Sequence, residues 1–590
     1  MRLTQNTYSR SKFSLNGDWH YIVDPYETGS RNHRDWVHFA EVESLARRAY
    51  GSDLRGGQPW ERIEYDFRRS PVMRVPGSWS HQVTELTYYE GSVWFQRDFD
   101  HPGVAKDRRV RLRIEAANYH AEVYLNGRYV GDHWGGFDPF EFEVTQFLKE
   151  GENSIVVHVD NRREKGRVPG MTTDWWNYGG ITRDIYLFEV PATWLLDYHL
   201  QLSTREKGLL EGRVQVAGEA LSGDVEISIP ELSLHQSLRT NAEGQASFQL
   251  SAPELTRWSP DNPKLYSVRW KAGADEVEDR IGFRTIEVRD TRLLLNGEPL
   301  FLRGISVHEE NPAVPRRNYL REDCEEIFNL AGDLHCNFLR LAHYPHNEHM
   351  PRMADERGFL LWEEIPVYWG IEFDLSEVRT AAVHQLDTLV RRDRNRASVI
   401  VWSLANETPV TASRLHLLKE LKAVVRTLDK DRLVSAALDK KGDGKDRVME
   451  VADPFAEECD VVSCNEYVGW YDGTPDLCRR LQWKIPAAKP FFVSEFGAGA
   501  LAGRHGDKED VWTEEYQAWV YERQIEMLRK LPNFCGCSPW ILRDFRSPRR
   551  NLAEVQDQWN RKGLIGSDGK RKLAFSVLKE FYAEMKSRLS

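Results

Sequence analysis

The last 300 or so residues alternate short apolar segments with amphipathic ones, and this alternation restricts the possible folds most strongly. After Asn296-Gly297, runs rich in β-branched and aromatic residues are typical of parallel strands that are buried on both faces. Between them, stretches such as 377–391 and 514–530 carry apolar residues at helical spacing. We therefore expect residues 288–590 to form a closed (β/α)8 TIM barrel, with its eight strands at 301–307, 337–342, 359–365, 399–407, 432–438, 461–467, 491–497 and 536–542.

The preceding residues show β patterns with almost no helical periodicity. Residues 110–115 alternate strictly between apolar and polar side chains, and Asn126-Gly127 inside residues 121–130 is the strongest short hairpin signal. These patterns predict a jelly-roll β-sandwich over residues 1–190. Shorter strands at regular intervals then predict an immunoglobulin-like β-sandwich over residues 191–287.

Length and composition agree with a protein of several domains and exclude some partners. A chain of 590 residues is too long for one hydrophobic core. Its net charge of -11 argues against a nucleic-acid partner or a polybasic membrane contact, since both need a concentrated positive field. The seven scattered cysteines predict reduced thiols, and the N-terminal residues lack the apolar core of a signal peptide. We expect a cytoplasmic protein, although a trimmed leader would look the same.

Two acidic residues stand at the ends of predicted barrel strands. Glu407 closes the run Val399-Ile-Val-Trp-Ser-Leu-Ala-Asn-Glu407, and Glu495 lies in Phe491-Phe-Val-Ser-Glu-Phe-Gly497. An ionised side chain is costly inside a buried strand unless it emerges at an open end. Both acids fall at the end of the barrel where enzymes of this fold place their chemistry. The alternative is that they are surface acids that happen to follow strands.

The neighbouring strand ends carry side chains that suit a sugar. Asn406, His343-Tyr344, Asn465-Glu466-Tyr467 and Trp540 would surround the two acids. Aromatic faces stack on the C–H surface of a sugar, and amide and imidazole groups bind its hydroxyls. Two facing carboxyl groups can then cleave a glycosidic bond, one by attacking the anomeric carbon and the other by protonating the leaving oxygen.

Several motifs along nearly the whole chain resemble those of glycoside hydrolase family 2. The barrel signatures are Asn337-Phe-Leu-Arg-Leu-Ala-His343-Tyr-Pro345 and Asn395-Arg-Ala-Ser-Val-Ile-Val-Trp402-Ser-Leu-Ala-Asn406-Glu407. Further matches precede them, at Leu15-Asn-Gly-Asp-Trp19, Val75-Pro-Gly-Ser-Trp79, Trp94-Phe-Gln-Arg97, Trp258-Ser-Pro-Asp-Asn-Pro-Lys-Leu-Tyr266 and Gly282-Phe-Arg284. One departure is Arg396 followed by Ala397, where the family usually has histidine and proline.

The resemblance implies a retaining exo-β-glycosidase that works through a covalent glycosyl-enzyme intermediate and needs no cofactor. It implies that Glu407 is the acid/base and Glu495 the nucleophile, that Asn406 bonds the sugar 2-hydroxyl, and that Tyr467 bonds the nucleophile. His343, Tyr471 and Trp540 are expected to contact the substrate. The family is commonly oligomeric, so a homo-oligomer is expected as well.

The identity of the sugar depends on a different part of the chain. Asn560-Arg561-Lys562-Gly563 resembles the motif with which β-glucuronidases of the family hold the C6 carboxylate. Asp174, in Asp174-Trp-Trp-Asn-Tyr178, and the segment from Asn465 to Tyr471 resemble the same group. Terminal β-D-glucuronides are therefore the expected substrates.

Other functions remain open at this point. Lys562 can instead begin the last loop of the barrel, because similar stretches occur in members acting on neutral sugars. A β-galactosidase, a β-galactofuranosidase and a β-galacturonidase are the alternative enzymes, and a non-catalytic carbohydrate-binding protein is the alternative of another class. Residues 540–550 and Glu466 depart from the usual β-glucuronidase sequence. No metal site is expected at His343, His346 and His349, since they do not follow a helical metal-binding pattern.

Overall fold

The computed structural model describes residues 2–27, 67–442, 447–486 and 488–588. Met1 and residues 28–66 of the predicted first domain lie outside this description. Within the described ranges, each helix is too short or too polar to cross a bilayer. All seven cysteines are described; each is buried and forms no disulfide.

The N-terminal domain is a sandwich of two antiparallel sheets. One sheet has the order β1-β12-β5-β9 and the other has the order β3-β2-β4-β10-β7-β8. Its elements are β1 (Lys12–Ser14), β2 (Gly17–Val23), β3 (Val72–Val75), α1 (Trp79–Gln82), β4 (Ser92–Pro102), β5 (Arg108–Ile114), β6 (Ala117–Asn118), β7 (His120–Leu125), β8 (Arg128–Trp134), β9 (Phe140–Glu143), β10 (Glu150–Asp160), β11 (Gly180–Ile181) and β12 (Ile185–Pro191).

The predicted hairpin is present between β7 and β8. Asn126 and Gly127 form the turn with positive φ angles of 52° and 75°. This is the backbone conformation that makes Asn-Gly a hairpin signal, because few other residues adopt it without strain. The apolar face of β5 and the central strands pack between the two sheets and form the core of the sandwich.

The second domain is the expected immunoglobulin-like sandwich, with sheets β13-β14-β17 and β16-β15-β18-β19. Buried Trp270 stacks on Tyr198 in its core. The strands are β13 (Thr193–Leu202), β14 (Leu209–Gly218), β15 (Asp224–Ile229), β16 (Leu234–Arg239), β17 (Gln245–Ser251), β18 (Tyr266–Ala272) and β19 (Asp275–Ile281). A small antiparallel sheet follows, made of β20 (Ile286–Arg289), β21 (Arg292–Leu295) and β22 (Glu298–Leu300).

The C-terminal domain is a closed barrel of eight parallel strands, as predicted. The barrel strands are β23 (Leu302–Val307), β24 (Phe338–Leu341), β25 (Leu360–Glu364), β26 (Val399–Asn406), β27 (Leu433–Leu438), β29 (Val462–Asn465), β31 (Phe491–Glu495) and β32 (Phe534–Cys537). Helices α2 (Arg321–Asp333), α3 (His349–Arg357), α4 (Ser376–Asp393), α5 (Ala412–Leu428), α6 (Glu514–Leu528) and α7 (Leu573–Ser587) accompany them, with short strands β28 (Val448–Glu450), β30 (Gln482–Lys484), β33 (Phe545–Arg546) and β34 (Trp559–Asn560).

The eighth strand departs furthest from its predicted bounds. It was expected at 536–542 but ends at Cys537, so Trp540 lies in the loop beyond it. Pro539 lacks an N–H group and cannot continue the ladder. The loop still follows the neighbouring strand, because the Trp540 N–H donates to the Phe496 carbonyl at 2.9 Å.

Buried polar contacts join the three domains. Arg396, the departure from the family pattern, bonds Asp279 of the immunoglobulin-like domain through Nη2 at 2.5 Å. Arg183 of the jelly roll bonds Glu309 of the barrel at 2.7 Å and the Pro345 carbonyl at 2.6 Å. Both ends of the Arg183–Glu309 pair are almost fully buried.

We expect Arg183→Met to destabilise the protein by ~3 to 5 kcal/mol, because it leaves the buried Glu309 carboxylate without its cation. Urea unfolding followed by tryptophan fluorescence measures this change. Arg109→Met is the control, because Arg109 pairs with Glu143 and Glu219 at the surface. Its loss should cost less than about 1 kcal/mol. If the two substitutions destabilise the protein equally, the contact between the jelly roll and the barrel does not depend on Arg183.

Candidate active site

The ends of four barrel strands bring charged and amide side chains together. Glu364, Asn406, Asn465 and Glu495 are the last residues of β25, β26, β29 and β31. The strands are parallel, so their carboxyl ends meet at one rim of the barrel. All four side chains are buried.

Arg340 on β24 lies at the centre of this group and is fully buried. Its Nη1 donates to Glu495 Oε1 at 2.7 Å, and its Nη2 donates to Asn406 Oδ1 at 2.7 Å. Nε and Nη2 also bond the two oxygens of Glu364, at 3.2 and 3.1 Å. Burial opposes ionisation of Glu364, but Arg340 and His343 outweigh it and lower its pKa to about 2.

Glu495 is buried and held by donors on both oxygens. Besides the bond from Arg340, the Tyr467 hydroxyl donates to Oε2 at 2.6 Å. Burial raises the pKa of Glu495, and the nearby Glu407 adds to this rise, whereas Arg340, His343 and Tyr467 oppose it. Bonds that are made to the ionised carboxylate favour that form, which a nucleophile requires.

Glu407 has a different environment. It follows β26 directly, has a positive φ of 47° and is partly exposed. Trp369 Nε1 donates to its Oε2 at 2.7 Å. Among the described side chains, no arginine or lysine forms an ion pair with Glu407. An acid that is open to solvent and free of a fixed cation can exchange protons, as an acid/base group must.

The amide of Asn406 has one end free. Its oxygen accepts from Arg340 and from Asn465 Nδ2, the latter at 3.2 Å, while its buried Nδ2 has no hydrogen-bond partner among the described residues. A donor that is oriented in this way can bind a hydroxyl of a bound sugar. Asn465 is itself fixed by Ser494, whose hydroxyl donates to Asn465 Oδ1 at 2.7 Å. Asn465 therefore helps to orient the amide of Asn406.

Aromatic rings cover one side of the acids. The His343 ring stacks on Trp540 with centroids 4.7 Å apart, and its Nδ1 lies 2.8 Å from Glu364 Oε1. The Nε2 atom of His343 lies 3.9 Å from Glu495 Oε1. Tyr368 packs against His343 and also stacks on Trp369, which connects this wall to Glu407.

A second, cationic group lies beside the acids. Lys562 Nζ donates to the Tyr471 hydroxyl at 2.8 Å, and Arg550 Nη1 lies 3.5 Å from the same oxygen. Loss of hydration at this hydroxyl would raise the pKa of Tyr471, but the two cations outweigh that effect and lower it. The Tyr467 and Tyr471 rings lie 5.3 Å apart, and Tyr467 bonds Glu495, so this group adjoins Glu495.

The jelly roll contributes Asp174 to the cationic group. Its carboxylate accepts bonds from Ser547 at 2.6 Å, from Arg550 Nε at 3.0 Å and from Asn560 Nδ2 at 3.0 Å. Lys562, in contrast, is 4 % exposed and forms no ion pair with any carboxylate of the described residues. The group therefore carries two cations and one anion, a net charge that suits an anionic ligand.

The structure thus brings all eleven residues selected from the sequence to one end of the barrel, and four further residues join them. Arg340, Glu364, Trp369 and Arg550 contact the selected residues directly. Arg340 and Glu364 lie in predicted strands, so their place at the rim was accessible from the sequence. Trp369 and Arg550 lie in irregular loops, where periodicity gives no signal.

Among the described residues, no arginine forms an ion pair with Glu466. It is fully buried, and its Oε2 accepts the Val468 N–H at 2.9 Å. Burial raises the pKa of Glu466 to about 8. None of the described contacts joins Glu466 to the residues of the cationic group.

We expect Tyr467→Phe to move the acidic limb of the kcat/KM profile to higher pH. For a nucleophilic Glu495, the acidic limb reports the ionisation of its carboxyl. The Tyr467 hydroxyl bond lowers the pKa of that carboxyl, so its removal should raise the pKa. Loss of a bond to a charged group should also reduce kcat/KM by ~10- to 150-fold. Steady-state rates across pH 4 to 9 measure both effects.

Tyr516→Phe is the matched control for this variant. Its hydroxyl donates to the Gly469 carbonyl at 2.7 Å and not to a carboxylate. Its acidic limb should remain that of the unchanged protein. An unshifted limb in Tyr467→Phe would contradict the role of this bond in keeping Glu495 ionised.

Three family descriptions match the chain and together cover most of it. Residues 13–191 match the sugar binding domain of glycosyl hydrolases family 2, residues 190–284 match "Glycosyl hydrolases family 2", and residues 286–587 match its TIM barrel domain. The matches coincide with the two sandwiches and the barrel.

Similar proteins are found over the full length of the chain. A β-glucuronidase of Rattus norvegicus is 29 % identical over 86 % of this chain and 84 % of its own. A β-glucuronidase of Paenibacillus borealis is 26 % identical over 99 % of both. The structure of a Bifidobacterium dentium β-glucuronidase complexed with coumarin-3-O-glucuronide superposes with a TM-score of 0.82 at 25 % identity, covering 99 % of this chain and 98 % of that one.

Proposed function

Because the chain belongs to glycosyl hydrolases family 2, we propose that it is a retaining exo-β-glycosidase that hydrolyses terminal β-D-glucuronides. Lys562 is the observation on which the choice of sugar depends. A buried ammonium group that no described carboxylate neutralises is costly unless a ligand supplies the anion. The C6 carboxylate of a glucuronide is such an anion, and the similar proteins named β-glucuronidase support the same choice.

In this mechanism, Glu495 attacks the anomeric carbon and forms a glycosyl ester, while Glu407 protonates the departing oxygen. The bonds from Arg340 and Tyr467 support Glu495 as the nucleophile, because they favour the ionised form of its carboxylate. Glu407 then removes a proton from water, and the hydroxide attacks the same carbon and releases Glu495. Asn406 Nδ2 would donate to the sugar 2-hydroxyl, where bonds strengthen in the transition state.

The cationic group would bind the other end of the sugar. Lys562 Nζ, Asn560 and the Tyr471 hydroxyl face the C6 carboxylate in this proposal. Arg550 adds a second positive charge, and its bond to Asp174 fixes its guanidinium. A neutral sugar has a hydroxymethyl group at this position and would leave Lys562 without an anion.

We expect Lys562→Met to lower kcat/KM for nitrophenyl β-D-glucuronide by ~2 to 3 kcal/mol of transition-state binding, about 30- to 150-fold. The rates for nitrophenyl galactoside and galactofuranoside should change little, since these sugars carry no C6 charge. Comparing all of these substrates with the galacturonide in one assay also tests the choice of uronic acid.

Lys570→Met is the control for this variant, because Lys570 is exposed and lies eight residues further along the chain. It should leave every rate unchanged. The proposed substrate would be contradicted if the unchanged protein hydrolysed the glucuronide no faster than the neutral sugars.

The assigned roles of the two acids predict different responses to the leaving group. With Glu407→Gln, hydrolysis of a glycoside with a poor leaving group should fall by ~10²- to 10⁴-fold, whereas cleavage of a dinitrophenyl glycoside needs little proton donation and should be less affected. A 2-deoxy-2-fluoro glucuronide with a good leaving group should label Glu495 covalently, as peptide mass spectrometry can show. Tight sugar binding without any labelling or turnover would favour a carbohydrate-binding protein instead.

A further inference from the structure

Three potential metal ligands meet where the jelly roll contacts the barrel. His133 lies on β8, Asp138 lies in the loop before β9, and His384 projects from helix α4 of the barrel. One ligand atom from each residue lies within 4.8 Å of the other two. These residues belong neither to the catalytic group nor to the cationic group described above.

Asp138 lacks the partners that a buried carboxylate requires. It is 1 % exposed, and neither of its oxygens accepts a hydrogen bond from a residue within the described ranges. The nearest nitrogen atoms belong to the two imidazoles: His133 Nε2 lies 3.3 Å from Oδ2 and His384 Nε2 lies 3.6 Å from it. In the part of the chain that the structure describes, no arginine or lysine pairs with this carboxylate.

His133 is also incompletely satisfied. Its ring stacks on Phe140 with centroids 4.3 Å apart, which fixes its orientation. The Nε2 atom points toward Asp138 and His384 but has no hydrogen-bond partner in the described part of the chain. Two buried side chains therefore direct unsatisfied polar atoms to the same point, which indicates a missing partner between them.

The separation of each imidazole from the carboxylate fits a tetrahedral ion. Zinc binds imidazole nitrogen at ~2.0 to 2.1 Å and carboxylate oxygen at ~2.0 to 2.2 Å, so two ligands of a tetrahedral site lie roughly 3.3 to 3.5 Å apart. The observed separations of 3.3 and 3.6 Å are close to this spacing. From this geometry we propose that His133, Asp138 and His384 bind one divalent ion of the zinc class.

The surroundings leave room for the fourth ligand. His384 is about half exposed at its side chain. A cavity of about 500 Å³ is lined by His133 and His384 and also by Trp134 and Arg167. A metal ion can enter through this cavity, and water can complete its coordination. Gly135 keeps the other side open, because a Cβ there would lie 2.2 Å from Asp138 Oδ1.

The choice of metal follows from the donor set. Two imidazoles and one carboxylate suit zinc and its borderline neighbours, whereas Mg²⁺ prefers an octahedron of oxygen ligands. Because two ligands come from the jelly roll and one from the barrel, the ion would join the two domains. Binding would then stabilise the folded protein against separation of these domains.

The test is calorimetric titration of ZnCl2 into the full-length protein after treatment with a chelator. We expect binding of one Zn²⁺ per chain, a higher midpoint of thermal unfolding in its presence, and no such effect of MgCl2. Binding of Co²⁺ should give the visible absorption of a tetrahedral site. The activity assay need not be involved, so the outcome is independent of the proposed substrate.

His384→Gln removes the exposed ligand and should not impair folding. It should weaken Zn²⁺ binding by more than about tenfold and abolish the thermal shift. His416→Gln is the matched control, since His416 is an exposed histidine on the neighbouring helix α5. Asp138→Asn tests the buried ligand in the same way.

Two results would overturn the inference. One is the absence of Zn²⁺ binding at this stoichiometry, which would leave His133 and Asp138 as a simple ion pair. The other is binding that His384→Gln and His416→Gln weaken equally, which would assign it to surface histidines in general.

Discussion

The buried guanidinium of Arg340 is the interaction on which the active site depends. It forms ion pairs with two carboxylates, Glu364 and Glu495, and also bonds the amide oxygen of Asn406. Without a cation at this position, two ionised acids could not remain inside the barrel rim at an acceptable cost in free energy. The same bonds fix Glu495 and the amide of Asn406 relative to each other, so the charge and the geometry of the site have one origin.

The site is not confined to the barrel. Asp174 reaches it from the jelly roll and accepts bonds from Arg550, Ser547 and Asn560, all of which follow the last barrel strand. The buried Arg183–Glu309 pair joins the same two domains nearby in the fold. A sugar-recognition surface assembled in this way requires that the sandwich and the barrel keep a fixed relation. This requirement explains why so many buried charges lie at their boundary.

Most of the fold and most of the site could be predicted from the sequence, for identifiable reasons. The barrel strands have continuous apolar runs, and residues at their ends must meet at one rim, which places Glu407, Glu495, Asn406 and Asn465 together. The eighth strand was misjudged because the apolar residues after Cys537 continue beyond the ladder. Trp369 and Arg550 could not be found, since their positions depend on loop conformation and not on a repeat.

Contacts between residues that are distant in sequence were the hardest to predict, and the buried charged groups show the reason. Glu364 is neutralised by a nearby arginine, and Glu466 has a raised pKa, so each is accounted for within its own domain. Lys562 forms no ion pair with a carboxylate of the described chain. The charged partners of Asp138 in that chain are two imidazoles, which come from different domains. Folding pays the desolvation cost of such groups only if something else is gained. A ligand anion would compensate the positive charge of Lys562, and a metal cation would compensate the negative charge of Asp138.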